Sequence, residues 1–182
     1  MTPRVEWRVK SGAWHSLAEQ RQAAYSLLAE VVGAAVTVDH DAAGAPFLPD
    51  HPELHVSISH CPTAVAAAVA QGRNIGIDVE SRRRIDPSLV MRVCIPDEVA
   101  AIQAAADPTM AFLRFWTRKE AVLKCRGTGI KGFGSMLEAS SPTDCTLHDI
   151  DTLLPDTVAS VALANECPKP DKSSSQTPKL QA

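Results

Sequence analysis

Apolar and polar positions alternate along this chain with two different periodicities. From Leu17 to Val32 apolar residues recur at helical spacing and Gly33 follows as a natural stop, so the pattern predicts a helix there. Elsewhere the alternation has a period of two, which is typical of half-buried strands. It predicts strands at Val5–Val9, 36–38, 55–60, 64–70 and 75–79, with 41–52 as a loop.

The second half of the chain has longer helical segments. Prolines at first-turn positions predict helices over 87–93, 96–106 and 108–126, the last ended by Gly127. Short apolar runs predict strands near 135–139, 145–150 and 157–165. The Val/Ala texture of 157–164 is similar to that of 64–70, a weak indication of two similar halves.

Composition narrows the class of protein. The 182 residues suffice for one domain or two small halves, and a net charge of −3 gives no general attraction to nucleic acid or anionic membranes. The five cysteines fit neither a zinc motif nor a redox pair, which favours reduced thiols in a cytoplasmic protein. We expect neither a membrane span nor a signal peptide. The proline- and serine-rich segment 167–182 is expected to be disordered.

Candidate chemistry is concentrated in two segments, Ile75–Glu80 and Phe115–Lys124. Asp78 and Glu80 are two apart and lie on one face of the predicted strand, whereas Glu120 and Lys124 are four apart and share a helix face. A pair of this kind, taken alone, most often lies on the solvated surface and has no functional role. Together they offer the carboxylates and cations that a divalent ion and a polyphosphate require.

The two segments resemble the paired signatures of the 4′-phosphopantetheinyl transferases, a Gly-Ile/Val-Asp-x-Glu segment and a later Trp-Thr/Ser/Cys-x-Lys-Glu-Ala/Ser-x-x-Lys segment. Glu120 follows Glu80 by 40 residues, as in that family. Ser57-Ile58-Ser59-His60 is similar to the family's upstream Ser-His element, and Gly44-Ala45-Pro46 occupies the place of its frequent Gly-Lys-Pro. The resemblance covers about Ala24 to Leu137 and is closer to the larger, surfactin-synthetase-activating type.

The resemblance implies a fold and a reaction. The fold class would be α+β, with two similar α/β halves packed as a pseudo-dimer, residues 1–72 binding the nucleotide end of coenzyme A and 73–166 carrying the metal and catalytic motifs. The reaction would move the 4′-phosphopantetheine arm of coenzyme A to a serine of an apo acyl or peptidyl carrier protein, releasing adenosine 3′,5′-bisphosphate. The enzyme would be a Mg²⁺-dependent monomer.

The resemblance also implies a role for each matching residue. Asp78, Glu80 and Glu120 would hold Mg²⁺, and Glu120 would accept the serine proton. Lys124 would face the pyrophosphate as a catalytic group, and Lys119 would contact phosphate as a point charge. Ser59 and His60 would contact the nucleotide phosphates.

Some features depart from the family pattern or leave alternatives open. Ala45 stands where the family often has a basic residue, Cys61 where serine is common, and basic residues before the first helix are few. Arg82-Arg83-Arg84 is either a solvated loop or a docking site for an acidic carrier protein. Two other functions fit the same residues: a metal-dependent hydrolase of a nucleotide pyrophosphate, and a non-catalytic relative that binds coenzyme A or carrier.

Overall fold

Two three-stranded antiparallel sheets organise the protein in a computed structural model, which describes residues 4–129 and 133–166. The first part of the chain forms β1 (Val5–Ser11), α1 (Leu17–Val32), β2 (Asp39–His40), β3 (Pro46–Phe47), β4 (Leu54–Cys61) and β5 (Ala64–Gln71). The second part forms β6 (Ile75–Ser81), α2 (Pro87–Val93), α3 (Pro96–Ala104), α4 (Pro108–Cys125), α5 (Phe133–Glu138), β7 (Cys145–Ile150) and β8 (Thr157–Ala164).

The first sheet has the strand order β1-β5-β4 and carries α1 on one face. The helix begins where the Ser16 side chain accepts a hydrogen bond from the Glu19 amide. It ends at Gly33, whose φ of 84° places the residue in the left-handed region that glycine adopts without strain. The helix buries Leu27, Leu28 and Val31 against the sheet, forming one of three apolar clusters in the described residues.

The second sheet repeats this arrangement with the order β6-β8-β7, and α4 packs across it. The first strand leads directly into the packed helix in the first sheet, whereas α2 and α3 come between β6 and α4 in the second. In both sheets a later hairpin places its second strand in the middle. Phe112, Leu113 and Val122 of α4 are buried in the core of this half. A strand, a helix and a hairpin therefore occur twice, in the same order.

The two sheets pack against each other through small side chains. Alternate alanines of β5 form a cluster with Ile75, Ile77 and Val79 of β6, and with Ala159 and Val161 of β8. At one edge of this interface β4 lies beside β6, and the Ser57 hydroxyl accepts a hydrogen bond from the Ile77 amide at 3.1 Å. The edge strands of the two sheets are thus joined by side chains.

The structure confirms most of the predicted elements and corrects two. The bounds of α1, α2 and β7 are as the sequence pattern predicts. The expected strand at 135–139 is wrong, because the segment forms α5, which buries Met136 in the core of the second half. The strand expected at 36–38 is also wrong, since the two-residue β2 begins at Asp39.

The segment 167–182, which we expect to be disordered, lies outside the described residues. Within residues 4–129 and 133–166, no helix combines the length and the apolar character needed to cross a bilayer.

Candidate active site

Strand β6 carries the first two candidate carboxylates toward a gap beside β4 and α4. Asp78 is only 6% exposed, whereas Glu80, two residues later near the strand's end, is half-buried. Glu80 pairs with Arg83, whose Nε and Nη2 atoms lie 3.2 Å from its two carboxylate oxygens. The Arg83 guanidinium also lies 5.9 Å from the ring centre of Trp116, so it bridges β6 and α4.

Helix α4 brings its functional face directly over β6. Lys124 donates from Nζ to Asp78 Oδ1 at 2.8 Å and to the Ile77 carbonyl at 3.0 Å. This close approach depends on Gly76, because a Cβ atom there would lie under 3.0 Å from the Ala121 carbonyl oxygen. The glycine of the first signature is therefore the point at which helix and strand backbones meet.

Asp78 receives a second hydrogen bond from the other half of the protein. The Ser59 hydroxyl, on β4, donates to Asp78 Oδ1 at 2.8 Å. Oδ1 thus accepts from both Ser59 and Lys124, whereas Oδ2 is buried and has no hydrogen-bond partner among residues 4–129 and 133–166. An unpaired buried carboxylate oxygen is costly unless something occupies it, so the group is a candidate ligand for a cation.

Glu120 lies one turn before Lys124 and is electrostatically coupled to the same cluster. Burial, together with the negative charges of Asp78 and Glu80, raises the pKa of Glu120 to about 7, and the positive charge of Lys124 opposes this shift. Asp78 and Glu80 therefore act on Glu120 as repelling charges. A bound cation would relieve that repulsion.

His60 faces the adjoining cleft from the end of β4. Its Nδ1 lies 3.1 Å from Gln20 Oε1, so the ring is held against α1. Burial lowers the pKa of His60, and the positive charges of Arg21 and Lys124 lower it further. Three basic side chains therefore surround one end of the cleft.

The cleft has a volume of about 720 Å³ and lies between α1, β4 and the end of α4. Arg21 and Tyr25 line it from one face of α1, and Tyr25 Oη lies 3.3 Å from His40 Nε2. Lys124, Gly127 and Gly129 close the side nearest to Asp78. Sequence reasoning left Tyr25 and His40 unassigned. A usable signal was the four-residue spacing of Arg21 and Tyr25, which places both on one helix face.

Lys119 does not join the other predicted site residues. Its side chain is 1% exposed and donates to Glu98 Oε2 at 2.6 Å, to the Val93 carbonyl at 2.5 Å and to the Ser140 hydroxyl at 2.7 Å. Adjacent helical residues point about 100° apart, so the helix face that turns Glu120 toward Asp78 and Glu80 turns Lys119 into the protein. The expectation that Lys119 contacts phosphate does not match this position.

The arginine run after β6 is largely engaged within the chain. Arg82 lies 2.5 Å from Asp107 and 2.8 Å from Asp156, tying the end of β6 to the start of α4 and to the β7–β8 turn. Arg83 is held by Glu80. Two of the three positive charges are thus offset locally, which weakens the run as a docking site for an acidic partner.

The carboxylates fit a divalent cation by their chemistry. Among the residues that the structure describes, no group of three or more His, Cys, Asp and Glu side chains forms a ready metal cluster. Mg²⁺ rarely uses such a cage, because it keeps several waters and binds one or two carboxylates together with substrate phosphates. The unpaired Oδ2 of Asp78 supplies an oxygen ligand of that kind.

Comparisons with known proteins agree with this site. A profile of the 4′-phosphopantetheinyl transferase superfamily matches residues 74–160, which include Asp78, Glu80, Glu120 and Lys124. The chain is 34% identical over 116 residues to the 4′-phosphopantetheinyl transferase HetI of Nostoc sp., covering 60% of this chain and 49% of that protein.

It is also 32% identical over 89 residues to the 4′-phosphopantetheinyl transferase Sfp of Bacillus subtilis (strain 168), covering 48% of this chain and 39% of that protein. The aligned part thus spans about half of the first relative's length and less of the second's. The profile match and these relatives cover the segment that builds the site, and in that segment the chain is similar to the 4′-phosphopantetheinyl transferase superfamily.

Proposed function

We propose that this protein transfers the 4′-phosphopantetheine arm of coenzyme A to a serine of an apo acyl or peptidyl carrier protein, with Mg²⁺, releasing adenosine 3′,5′-bisphosphate. The similarity of residues 74–160 to the 4′-phosphopantetheinyl transferase superfamily supports the reaction class. One observation carries the proposal: Asp78 presents a buried, unpaired carboxylate oxygen beside Lys124 and Glu120 at the end of a cleft lined with basic groups.

Asp78, Glu80 and Glu120 would hold the cation. When bound, Mg²⁺ would supply a Lewis acid for the pyrophosphate oxygens and offset the charge that develops on them. Glu80 would have to exchange its pairing with Arg83 for the ion. Asp78 needs no such exchange, because its Oδ2 atom is already unpaired.

Glu120 is suited to accept the proton of the carrier serine. Without a cation the pKa of Glu120 is raised to about 7, and a cation bound beside it would lower this pKa and keep the carboxylate ionised, ready to accept a proton. The serine oxygen would bond to the β-phosphorus of coenzyme A as the bond from that phosphorus to the bridging oxygen breaks. The serine proton would pass to Glu120, and the bond electrons would leave with adenosine 3′,5′-bisphosphate.

Lys124 and the cleft would position the coenzyme. The ammonium of Lys124 would lie against the pyrophosphate and stabilise the charge that accumulates on the leaving side. Arg21 and His60, at the same end of the cleft, would contact the nucleotide phosphates. Tyr25 and His40 would form a wall for the adenosine.

We also propose that residues 1–72 and 73–166 form two related halves of a pseudo-dimer. The repeated order of strand, helix and hairpin supports this division, and so does the change of sheet between Gln71 and Ile75. Residues of both halves line the cleft and the carboxylates come from the second half, so one chain would contain a complete site.

Intact-mass measurement of an apo acyl carrier protein tests the proposal. Incubation with coenzyme A, Mg²⁺ and the protein should add the mass of one phosphopantetheine arm. Glu120→Gln should slow this at least about a hundredfold. Glu53→Gln, at a half-exposed side chain paired only with His51 in the described residues, is the matched control and should keep the wild-type rate.

The products separate the alternatives. Release of nucleotide from coenzyme A without any carrier protein would favour the pyrophosphate hydrolase. An unmodified carrier, tested across acyl and peptidyl carriers, together with tight binding of coenzyme A would favour a non-catalytic relative. Either result would refute the proposed transfer.

A further inference from the structure

We propose that Ser59 is a positioning residue for Asp78, and that its hydroxyl orients this carboxylate for the cation rather than contacting the nucleotide. The inference rests on the proposed function, because it concerns how one of the proposed metal ligands is held. It assigns Ser59 a role that crosses from the first half of the protein to the second.

The hydrogen bonds at Asp78 carry the inference. Asp78 Oδ1 accepts from Ser59 Oγ at 2.8 Å and from Lys124 Nζ at 2.8 Å, so two donors occupy the same oxygen. This leaves Oδ2, which is buried and has no partner in the described part of the chain, as the oxygen available to a cation. Without the hydroxyl, one donor would remain, and the carboxylate could rotate about its terminal torsion, which has a broad energy profile.

Burial makes Ser59 a poor contact for a large anion. Ser59 is 8% exposed, and its hydroxyl hydrogen is already donated to a carboxylate. A hydroxyl has one hydrogen to donate, so binding a phosphate would require breaking the bond to Asp78. Its neighbour His60 is more exposed and faces Arg21 and Lys124, so it is better placed for phosphate.

Ser59 belongs to a row of side chains that connect β4 to β6. His55 interacts with the Asn74 side chain, which raises the His55 pKa against the effect of burial, Ser57 accepts from the Ile77 amide, and Ser59 donates to Asp78. The three are two residues apart and therefore lie on one side of the strand. Only the last of these three bonds reaches a candidate metal ligand, so Ser57 provides a natural control for Ser59.

Binding of Mn²⁺ alone, followed by electron paramagnetic resonance, tests the role without any turnover. Ser59→Ala should weaken Mn²⁺ binding at least about tenfold, since loss of a group that orients a metal ligand typically costs tenfold to a hundredfold. Ser59→Thr keeps the hydroxyl and should restore most of the affinity. Ser57→Ala removes an equally buried hydroxyl from the same strand and should leave Mn²⁺ affinity near that of the wild type.

A second measurement distinguishes orientation of Asp78 from contact with the nucleotide. Calorimetry with coenzyme A in EDTA should give the same affinity, within about twofold, for wild type and Ser59→Ala. A loss of metal-free coenzyme affinity with unchanged Mn²⁺ binding would overturn the inference in favour of a nucleotide contact. Circular dichroism of each variant confirms that the fold is retained.

Failure of this inference is distinguishable from failure of the proposed function. If the wild type modifies a carrier protein but Ser59→Ala binds Mn²⁺ as tightly as the wild type, the positioning role is overturned and the transferase function stands. If the wild type binds no Mn²⁺, the inference is overturned with the metal assignment, and the mass measurement still decides the reaction.

Discussion

Replacing Gly76 by alanine should separate α4 from β6 and damage both stability and the site. An added Cβ would lie under 3.0 Å from the Ala121 carbonyl oxygen and the Cys125 amide nitrogen, and 3.0 Å from Lys124 Cβ. Two of these are backbone atoms of a helix, which no rotamer change can move. Because carbon and oxygen normally approach to about 3.3–3.6 Å, the helix must withdraw by on the order of 1 Å.

The losses of stability and of rate can be judged from the contacts that withdrawal of α4 from β6 would disturb. Overpacking a well-filled core costs about 1–3 kcal/mol, and the upper end applies where backbone meets backbone. Lys124 and Glu120 would withdraw with the helix, lengthening the 2.8 Å contact from Lys124 to Asp78. A misplacement of about 1 Å at a reacting group costs on the order of a hundredfold in rate.

Urea unfolding and carrier modification measure the two consequences on the same preparation. Gly134→Ala is the control, because nothing lies within 4 Å of a Cβ at that helical position, and alanine there should be neutral or stabilise by up to about 1 kcal/mol. If Gly76→Ala unfolded within about 0.5 kcal/mol of the wild type and kept its rate, the close helix–strand approach would not be what holds the site.

Two further predictions concern buried charges. In EDTA the unfolding free energy should fall as pH rises from about 4.5 to 7, because native Glu120, with its pKa raised to about 7, keeps a proton that the unfolded chain releases. After allowance for solvent screening, the loss of unfolding free energy should be about 1–2 kcal/mol, and Glu120→Gln should remove most of this pH dependence. If the pH dependence were unchanged in that variant, another group would be responsible for it. Lys119→Met should cost about 3–5 kcal/mol in thermal or urea unfolding, since it leaves the buried Glu98 carboxylate without its counter-charge. Lys10→Met, which breaks the exposed pair with Glu30, should cost under about 1 kcal/mol, and equal losses in the two variants would contradict this account.

The sequence predicts helices and strands well where the apolar pattern agrees with the residues that cap or end an element. Helix α1 has an apolar stripe, a capping serine and a terminal glycine, and its predicted bounds are confirmed. The segment Phe133–Glu138 has only a short apolar run, which fits a strand or a helix equally, and packing of Met136 against the second-half core decides for the helix. Long periodic segments are therefore predictable and short ones depend on tertiary contacts.

For the site, too, sequence spacing predicts neighbours within one element but not contacts between elements. Spacing places Asp78 with Glu80 and Glu120 with Lys124, and the structure brings these pairs to one region. Lys119 is adjacent to Glu120 in sequence, but helical geometry points the Lys119 side chain into the core, away from the three carboxylates. The bond from Ser59 to Asp78 was not predictable, because it depends on how two separate sheets pack.

That packing gives the turn between the sheets a specific task. The chain passes from Gln71 to Ile75 through a short turn, while side chains of β4 reach across to β6. The turn is a short linker between the two sheets, and it holds each sheet near the other at an effective concentration that is commonly millimolar for short linkers. Cutting the chain at Gly72 would turn completion of Asp78's hydrogen bonds into a bimolecular event, and the protein would become a fragment-complementation pair whose activity reports on association.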